Sequence, residues 1–203
     1  MNISLAQAKF IRSASSTKDF PTNSKAEIAF CGRSNAGKSS AINALCQQRG
    51  LARTSKTPGR TQLLNFFQLD GDAFLVDLPG YGYAKAPVAT QKQWHKLVQD
   101  YLISRKALAG LILLMDSRHP LTDIDRNMIT WSEHYQLPLY ILLTKCDKLK
   151  RNQMMKSLTY VTSTLEQQGL DCAVQAFSAT KKIGISQASN KISEWLCPAL
   201  EKD

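Results

Sequence analysis

Eight residues carry the clearest chemistry in this chain. Gly32-Arg33-Ser34-Asn35-Ala36-Gly37-Lys38-Ser39 follow the spacing G-x-x-x-x-G-K-S. That spacing is built for a polyphosphate. A phosphate chain sheds part of its water on binding, so something preorganised must replace it. Glycines let backbone N–H groups turn inward as a nest, and the start of a helix adds partial positive charge. Lys38 is placed to reach the outer phosphates, and the Ser39 hydroxyl to ligate Mg²⁺. The motif needs a strand before it and a helix after it. Ala26 to Cys31 is short and largely apolar, and Ser39 to Leu45 has helical character, so the context is right.

Two further patterns complement the first. Asp77-Leu78-Pro79-Gly80 is D-x-x-G, forty residues beyond Gly37. An aspartate ending a strand can hold Mg²⁺ through water, and a glycine N–H can sense a terminal phosphate. Thr144-Lys145-Cys146-Asp147 fits T-K-x-D, a variant of N-K-x-D. Guanine presents N1–H and an exocyclic amine side by side, and one carboxylate accepts both. Adenine has no such pair, and a mismatched buried carboxylate costs ~1–3 kcal/mol or more. Asp147 therefore selects guanine. The stem of Lys145 can cover the base, and Thr144 takes the tethering place of the usual asparagine. Farther on, Ser178-Ala179, with Phe177 just before them, can present a backbone N–H to the guanine O6.

These motifs require a particular frame. Helices are expected over 37–48, 91–106, 122–135, 150–168 and 183–196. Strands are expected over 28–31, 62–69, 73–76, 108–115, 137–143 and 171–177. Asp70-Gly71-Asp72 joins the second strand to the third as a hairpin-type turn. The alternation, with continuous apolar strands, predicts an α/β fold: a mostly parallel central sheet with one antiparallel edge strand and helices on both faces. Ligands then bind at the carboxyl ends of strands, where every motif falls. The chain reads as one domain over 1–203, with 1–25 an extension packed on it or leading into it. Between 49 and 61 lies an exposed basic loop. Of the two threonines that end Thr57-Pro58-Gly59-Arg60-Thr61, Thr61 is chosen as a Mg²⁺ ligand because it adjoins the next strand. A second loop spans 78–90, and both loops are expected to change order with the nucleotide.

Composition narrows the class. The 203 residues carry a net charge of +10, and from Ile28 to Leu69 there are six basic residues and no acidic one. A large anionic partner, nucleic acid before membrane, is the natural inference; the plainer alternative is solubility. No apolar run is long enough to span a bilayer, and the first residues do not resemble a signal peptide. Five scattered cysteines without a C-x-x-C pair predict reduced thiols and a cytoplasmic protein. His95, His119 and His134 lack metal-ligand spacing, and Trp94, Trp131 and Trp195 read as packing residues. Lys148, Lys150, Arg151 and Lys156 are either RNA contacts or a solvated helix face.

Taken together, Gly32 to Ser40, Thr57-Pro58-Gly59-Arg60-Thr61-Gln62, Asp77-Leu78-Pro79-Gly80-Tyr81-Gly82-Tyr83-Ala84 and Thr144 to Asp147 closely resemble the bacterial EngB GTPases, also called YihA or YsxC. These belong to the TrmE-Era-EngA-EngB-Septin-like superfamily of P-loop NTPase G domains. The resemblance implies GTP and GDP binding, Mg²⁺, slow hydrolysis and a role in assembling the large (50S) ribosomal subunit, with ribosomal RNA or a subunit precursor as partner. It also implies a requirement for cell division and septation. The implied nucleotide-binding set is Gly32 to Ser39, Gly59 to Leu63, Asp77 to Gly80, Thr144 to Asp147 and Phe177 to Ala179. Lys38, Asn35, Thr61 and Gly80 carry the hydrolysis roles, and the protein is expected to be a monomer. Tyr81 stands where Ras-type GTPases carry a water-orienting glutamine, so that route is closed. Asn35 either coordinates K⁺ beside the phosphates or stabilises its loop. Two functions follow: a switch that docks on ribosomal RNA, or a nucleotide-regulated binding protein of the division machinery with incidental hydrolysis.

Overall fold

The computed structural model describes residues 3–53, 63–80 and 88–200, the side chains of 88–94 excepted. Seven strands form one sheet. They are β1 (Lys9–Ala14), β2 (Ala26–Gly32), β3 (Leu64–Gln68), β4 (Ala73–Asp77), β5 (Leu108–Asp116), β6 (Leu139–Thr144) and β7 (Ala173–Ala176), in spatial order β1-β3-β4-β2-β5-β6-β7. Five helices accompany them: α1 (Lys38–Leu45), α2 (Val88–Ser104), α3 (Asp123–His134), α4 (Arg151–Gln167) and α5 (Ile185–Leu200). The sheet's central strands are buried on both faces, as parallel strands covered by helices must be.

Residue parity assigns the faces. In β2, Ala29 and Cys31 point to one side, with Leu111 and Leu113 of β5. There they meet Tyr101 of α2, Met128 and Ile129 of α3, and Val161 and Leu165 of α4. Ile28, Phe30, Ile112 and Leu114 point to the other side, where Ile42 of α1 and Ala188 and Ile192 of α5 pack. This two-sided core brings the carboxyl ends of β2, β4, β5 and β6 to one edge.

β3 pairs antiparallel with β4 and the remaining central pairs are parallel. The expected antiparallel strand is present, but it is not the edge. β1 pairs antiparallel with β3 and lies outside it. The extension over 1–25 therefore supplies a strand. Five of the six β1 residues are exposed, so there was no apolar alternation to reveal it.

At the other end of the sheet, Glu27 is fully buried. Arg105 donates to its Oε1 from Nε at 2.8 Å and from Nη2 at 2.5 Å, and the Tyr101 hydroxyl donates to Oε2 at 2.7 Å. Arg105 also donates to the Pro21 carbonyl and lies 5.7 Å from the Phe20 ring centre. Burial, and then the Glu27 charge, push the Tyr101 hydroxyl well above its ordinary pKa.

Candidate functional site

The glycine loop leaves β2 at Gly32, whose φ is 156°. A Cβ there would stand 2.6 Å from the Leu114 carbonyl oxygen, so β5 leaves no room for a side chain. The loop then turns through two left-handed residues, Asn35 at φ 65° and Gly37 at φ 97°, and Gly37 caps α1. Gly37 has the conformation that lacks a Cβ penalty. The Ala36 N–H donates to the Arg33 carbonyl at 2.9 Å, closing the turn. Left-handed residues alternating with right-handed ones ahead of a helix are the backbone geometry from which an anion nest is made.

Lys38 and Asp77 are direct partners, the ammonium on Oδ1 of the carboxylate. Both are largely buried, with side chains 11% and 5% exposed. To reach a phosphate, Lys38 must leave or share this carboxylate. Leu78 N–H donates to the Phe30 carbonyl at 3.0 Å, carrying the chain from β4 beside the glycine loop. Gly80 comes so close that a Cβ would lie 3.3 Å from the Ser34 Cα. Gly80 therefore sits against the phosphate loop.

Thr144 ends β6 and is buried. Its hydroxyl donates to the Ala36 carbonyl at 2.5 Å, with the Met115 carbonyl 3.0 Å away. This contact joins the guanine motif to the phosphate loop. Lys145, in the left-handed region at φ 58°, reinforces it: its ammonium donates to the Asn35 carbonyl at 2.6 Å and to Asp116 Oδ2 at 2.9 Å. Asp116 is held in turn by Arg118, whose Nε and Nη2 donate to its two oxygens at 2.9 and 2.6 Å. Burial pushes the Asp116 carboxyl upward, but hydrogen bonds from Arg118 and Lys145 outweigh it and hold the group well below the usual carboxylate range. Asp116 and Arg118 were not among the expected site residues. The available signal was a charge closing an otherwise apolar strand.

Asp147 follows. The Ser178 hydroxyl donates to its Oδ1 at 2.6 Å, and the Lys148 ammonium stands 3.5 Å from Oδ2. The Ser178 hydroxyl chiefly, with some opposition from burial, lowers the Asp147 pKa. Cys146 between them is buried, and its N–H lies 3.3 Å from the Phe177 carbonyl. Burial, then the Asp147 charge, raise its thiol pKa. The Ser178 N–H is engaged by the Ile183 carbonyl at 3.0 Å, so of the two expected donors to O6 the candidate is Ala179.

Thr57, Gly59, Arg60, Thr61, Gln62 and Tyr81 lie outside the described residues. Leu63 is exposed at their margin. Among the described residues no cluster of three His, Cys, Asp or Glu could hold a metal alone. Asp77, at the end of β4, offers a hard oxygen and already holds a cation, the Lys38 ammonium. A sparse oxygen set fits Mg²⁺, which keeps its waters and borrows ligands from substrate phosphates. All five cysteines are free thiols. Among the described residues no helix is long and apolar enough to cross a membrane.

Comparison with known proteins bears on this edge of the sheet. Residues 27–145 match the family model described as a 50S ribosome-binding GTPase. The chain is 52% identical to the GTP-binding protein EngB of Aromatoleum aromaticum over 93% of its length and 88% of that protein. It is 51% identical to the EngB of Histophilus somni, covering 93% of each. A crystal structure of an EngB GTP-binding protein shares the fold, with a TM-score of 0.69 at 22% identity over 84% of this chain and 98% of that one. A GDP-bound mutant of the S. thermophilus NFeoB protein is 26% identical, with a TM-score of 0.58 over 84% of this chain and 62% of that one. Phosphate loop, D-x-x-G turn and guanine motif stand at the carboxyl ends of β2, β4 and β6, on a P-loop GTPase fold, in a chain half identical to EngB proteins over nearly its whole length: it belongs to the EngB family of GTP-binding proteins.

Proposed function

We propose that this protein is a Mg²⁺-dependent GTP switch acting in assembly of the large ribosomal subunit, built as one G domain over 1–203. The observation that carries the reading is the Thr144 hydroxyl on the Ala36 carbonyl. It fixes a guanine-selecting carboxylate at a set distance from a phosphate nest, so one ligand spanning both sites is favoured. Asp147 accepts from guanine N1–H and the exocyclic amine, and Ala179 N–H donates to O6. The stem of Lys145 covers the base while its ammonium stays on the Asn35 carbonyl. The residues of Gly32 to Ser39 line the phosphates, with Leu78 and Pro79 leading into Gly80.

Ser39 and Thr61 would hold Mg²⁺, and Asp77 would act on it through water. The ion, when bound, supplies positive charge to the β- and γ-phosphate oxygens. Lys38 adds a second positive charge there, and the Gly80 N–H donates to the γ-phosphate. Tyr81 cannot orient water as a glutamine does, so intrinsic hydrolysis is slow. Asn35 has two readings. K⁺ held there would speed hydrolysis in KCl over NaCl; a role confined to the loop leaves the rates equal.

The net charge of +10 supports an RNA-rich partner, in the cytoplasm, with the protein acting as a monomer. Co-sedimentation with large-subunit particles tests the reading. GTP-favoured, salt-sensitive binding is the expected result. Absence of binding, with a division protein captured instead, would replace it with the division-machinery role.

A further inference from the structure

Two loops meet over the base-binding end of the sheet. One leads from Lys145 to Arg151 at the start of α4; the other leads from Ser178 to Gly184, just before α5. The Ser178–Asp147 hydrogen bond of 2.6 Å ties them into one surface. The second loop is itself closed. Ser178 and Ile183 exchange two backbone hydrogen bonds of 3.0 Å, and the Lys181 N–H donates to the Ser178 hydroxyl oxygen at 3.1 Å. This closure presents Lys181, Lys182 and Ile183 outward, all exposed. Lys148, Lys150 and Arg151 are exposed on the first loop, Lys148 at 62%.

The rim thus has five cations on two braced loops, and almost nothing to neutralise them. No acidic residue occurs between Asp147 and Glu166, or between Asp171 and Glu194. The carboxylates beside these loops are already engaged, Asp147 by Ser178 and Lys148 and Asp116 by Arg118 and Lys145. Several cations elsewhere are paired within the protein, among them Arg105 with Glu27, Arg118 with Asp116 and Lys191 with Glu194. The amino ends of α4 and α5 open beside the same loops and add partial positive charge. The rim carries no aromatic ring on which a base could stack. It is suited to phosphate, not to base edges.

We propose that Lys148, Lys150, Arg151, Lys181 and Lys182 form a docking surface for the phosphate backbone of structured RNA. The proposal rests on the ribosomal reading above and names the face through which that partner is held. Because Ser178 and Asp147 brace the rim, the docking surface borders the nucleotide pocket directly.

The test is a fourfold variant, Lys150→Ala, Arg151→Ala, Lys181→Ala and Lys182→Ala. Lys148 is kept because it stands on Asp147. A control variant removes equal charge elsewhere: Lys9→Ala, Arg12→Ala, Lys18→Ala and Lys106→Ala, all exposed. Binding to isolated large ribosomal subunits, and to protein-free RNA extracted from them, is measured at saturating GTP from 50 to 200 mM KCl. The rim variant should lose at least ~10-fold in affinity, and its log–log salt slope should fall by about one per lost phosphate contact. The control should stay within about twofold of the parent protein. Unchanged GTP affinity in both variants shows that the pocket is intact. Equal losses in both variants would overturn the proposal in favour of general charge attraction. Parent-like binding by the rim variant would overturn it and leave the ribosomal reading standing. No binding by the parent protein would sink the ribosomal reading, and the proposal with it.

Discussion

The two ends of the sheet bury carboxylates in opposite ways. At the amino end of β2, Glu27 is gripped by Arg105 through two donors, capped by Tyr101, and sealed by Phe20 and Pro21. At the carboxyl ends of the strands, Asp77 and Asp147 are each approached by a lysine, Lys38 and Lys148, and Asp116 by Lys145 beside the fork of Arg118 that fastens it. Arginine's planar fork locks a carboxylate in one geometry, whereas a lysine is a point charge on a flexible stem. The closed end has the chemistry of a fastener. The open end has cations that can be handed to a ligand and taken back. Buried charge alone therefore does not mark a site; the mobility of the partner does.

The largest effect expected at the open end comes from Lys38→Ala. It removes the phosphate cation and leaves the buried Asp77 without its partner. GTP affinity by calorimetry should fall at least ~100-fold, since a charge-assisted contact to phosphate is lost along with the nest's main cation. Lys38→Arg should do almost as badly, because a fork cannot share Asp77 and a phosphate from one point. If the arginine variant bound GTP normally, the contrast between fastener and exchangeable cation would break.

A smaller effect is expected from Asp116→Asn. Lys145 keeps the Asn35 carbonyl but loses its carboxylate, so GTP affinity should drop roughly 10-fold, about the worth of one charged hydrogen bond. Lys145→Arg should not rescue it. At the closed end Arg105→Lys should show the reverse pattern. Thermal or urea unfolding should register a loss of about 1–3 kcal/mol, because Glu27 is left with an unmet acceptor in the core. GTP affinity should stay within about twofold of the parent, as the network lies at the other end of the sheet.

The smallest effect sharpens the comparison by being absent. Asp147 and Asp116 both titrate below the ordinary carboxyl value. A lowered folded pKa means that the stabilisation is fully present above the unfolded value of about 4 and is lost as pH falls through the folded one. The ratio of GDP to ADP affinity should therefore be flat from pH 8 to 5. Using the ratio cancels the titration of the phosphates themselves. A decline within that window would mean that Asp147 is not held by Ser178 as described.

The legible parts of the molecule were those written in local spacing. Gly32 to Ser39, Asp77 to Gly80 and Thr144 to Asp147 announce backbone geometry and single side-chain roles, and the apolar runs place them at strand ends. What stayed hidden depended on distant partners. β1 is exposed along most of its length, so its place outside β3 came from pairing that no periodicity records. Glu27 was visible as a lone acid in an apolar strand, yet Arg105 lies 78 residues away. Asp116 showed as a charge ending a strand, but its grip on Lys145 exists only when β5 and β6 align Asp116 with Thr144. α5 runs on through Pro198 to Leu200, beyond its expected end at Leu196, because Cys197, Ala199 and Leu200 go on packing against the same apolar layer.

One substitution tests the core of the account. In Asp147→Asn the paired acceptor becomes a donor–acceptor amide, complementary to xanthine and no longer to guanine. Calorimetry with GTP and xanthosine triphosphate should show the preference reversed in favour of xanthosine triphosphate by at least ~100-fold, as two charge-assisted hydrogen bonds change partner. If the variant still binds GTP as tightly as the parent protein does, Asp147 does not read the base, and this description of the site is wrong.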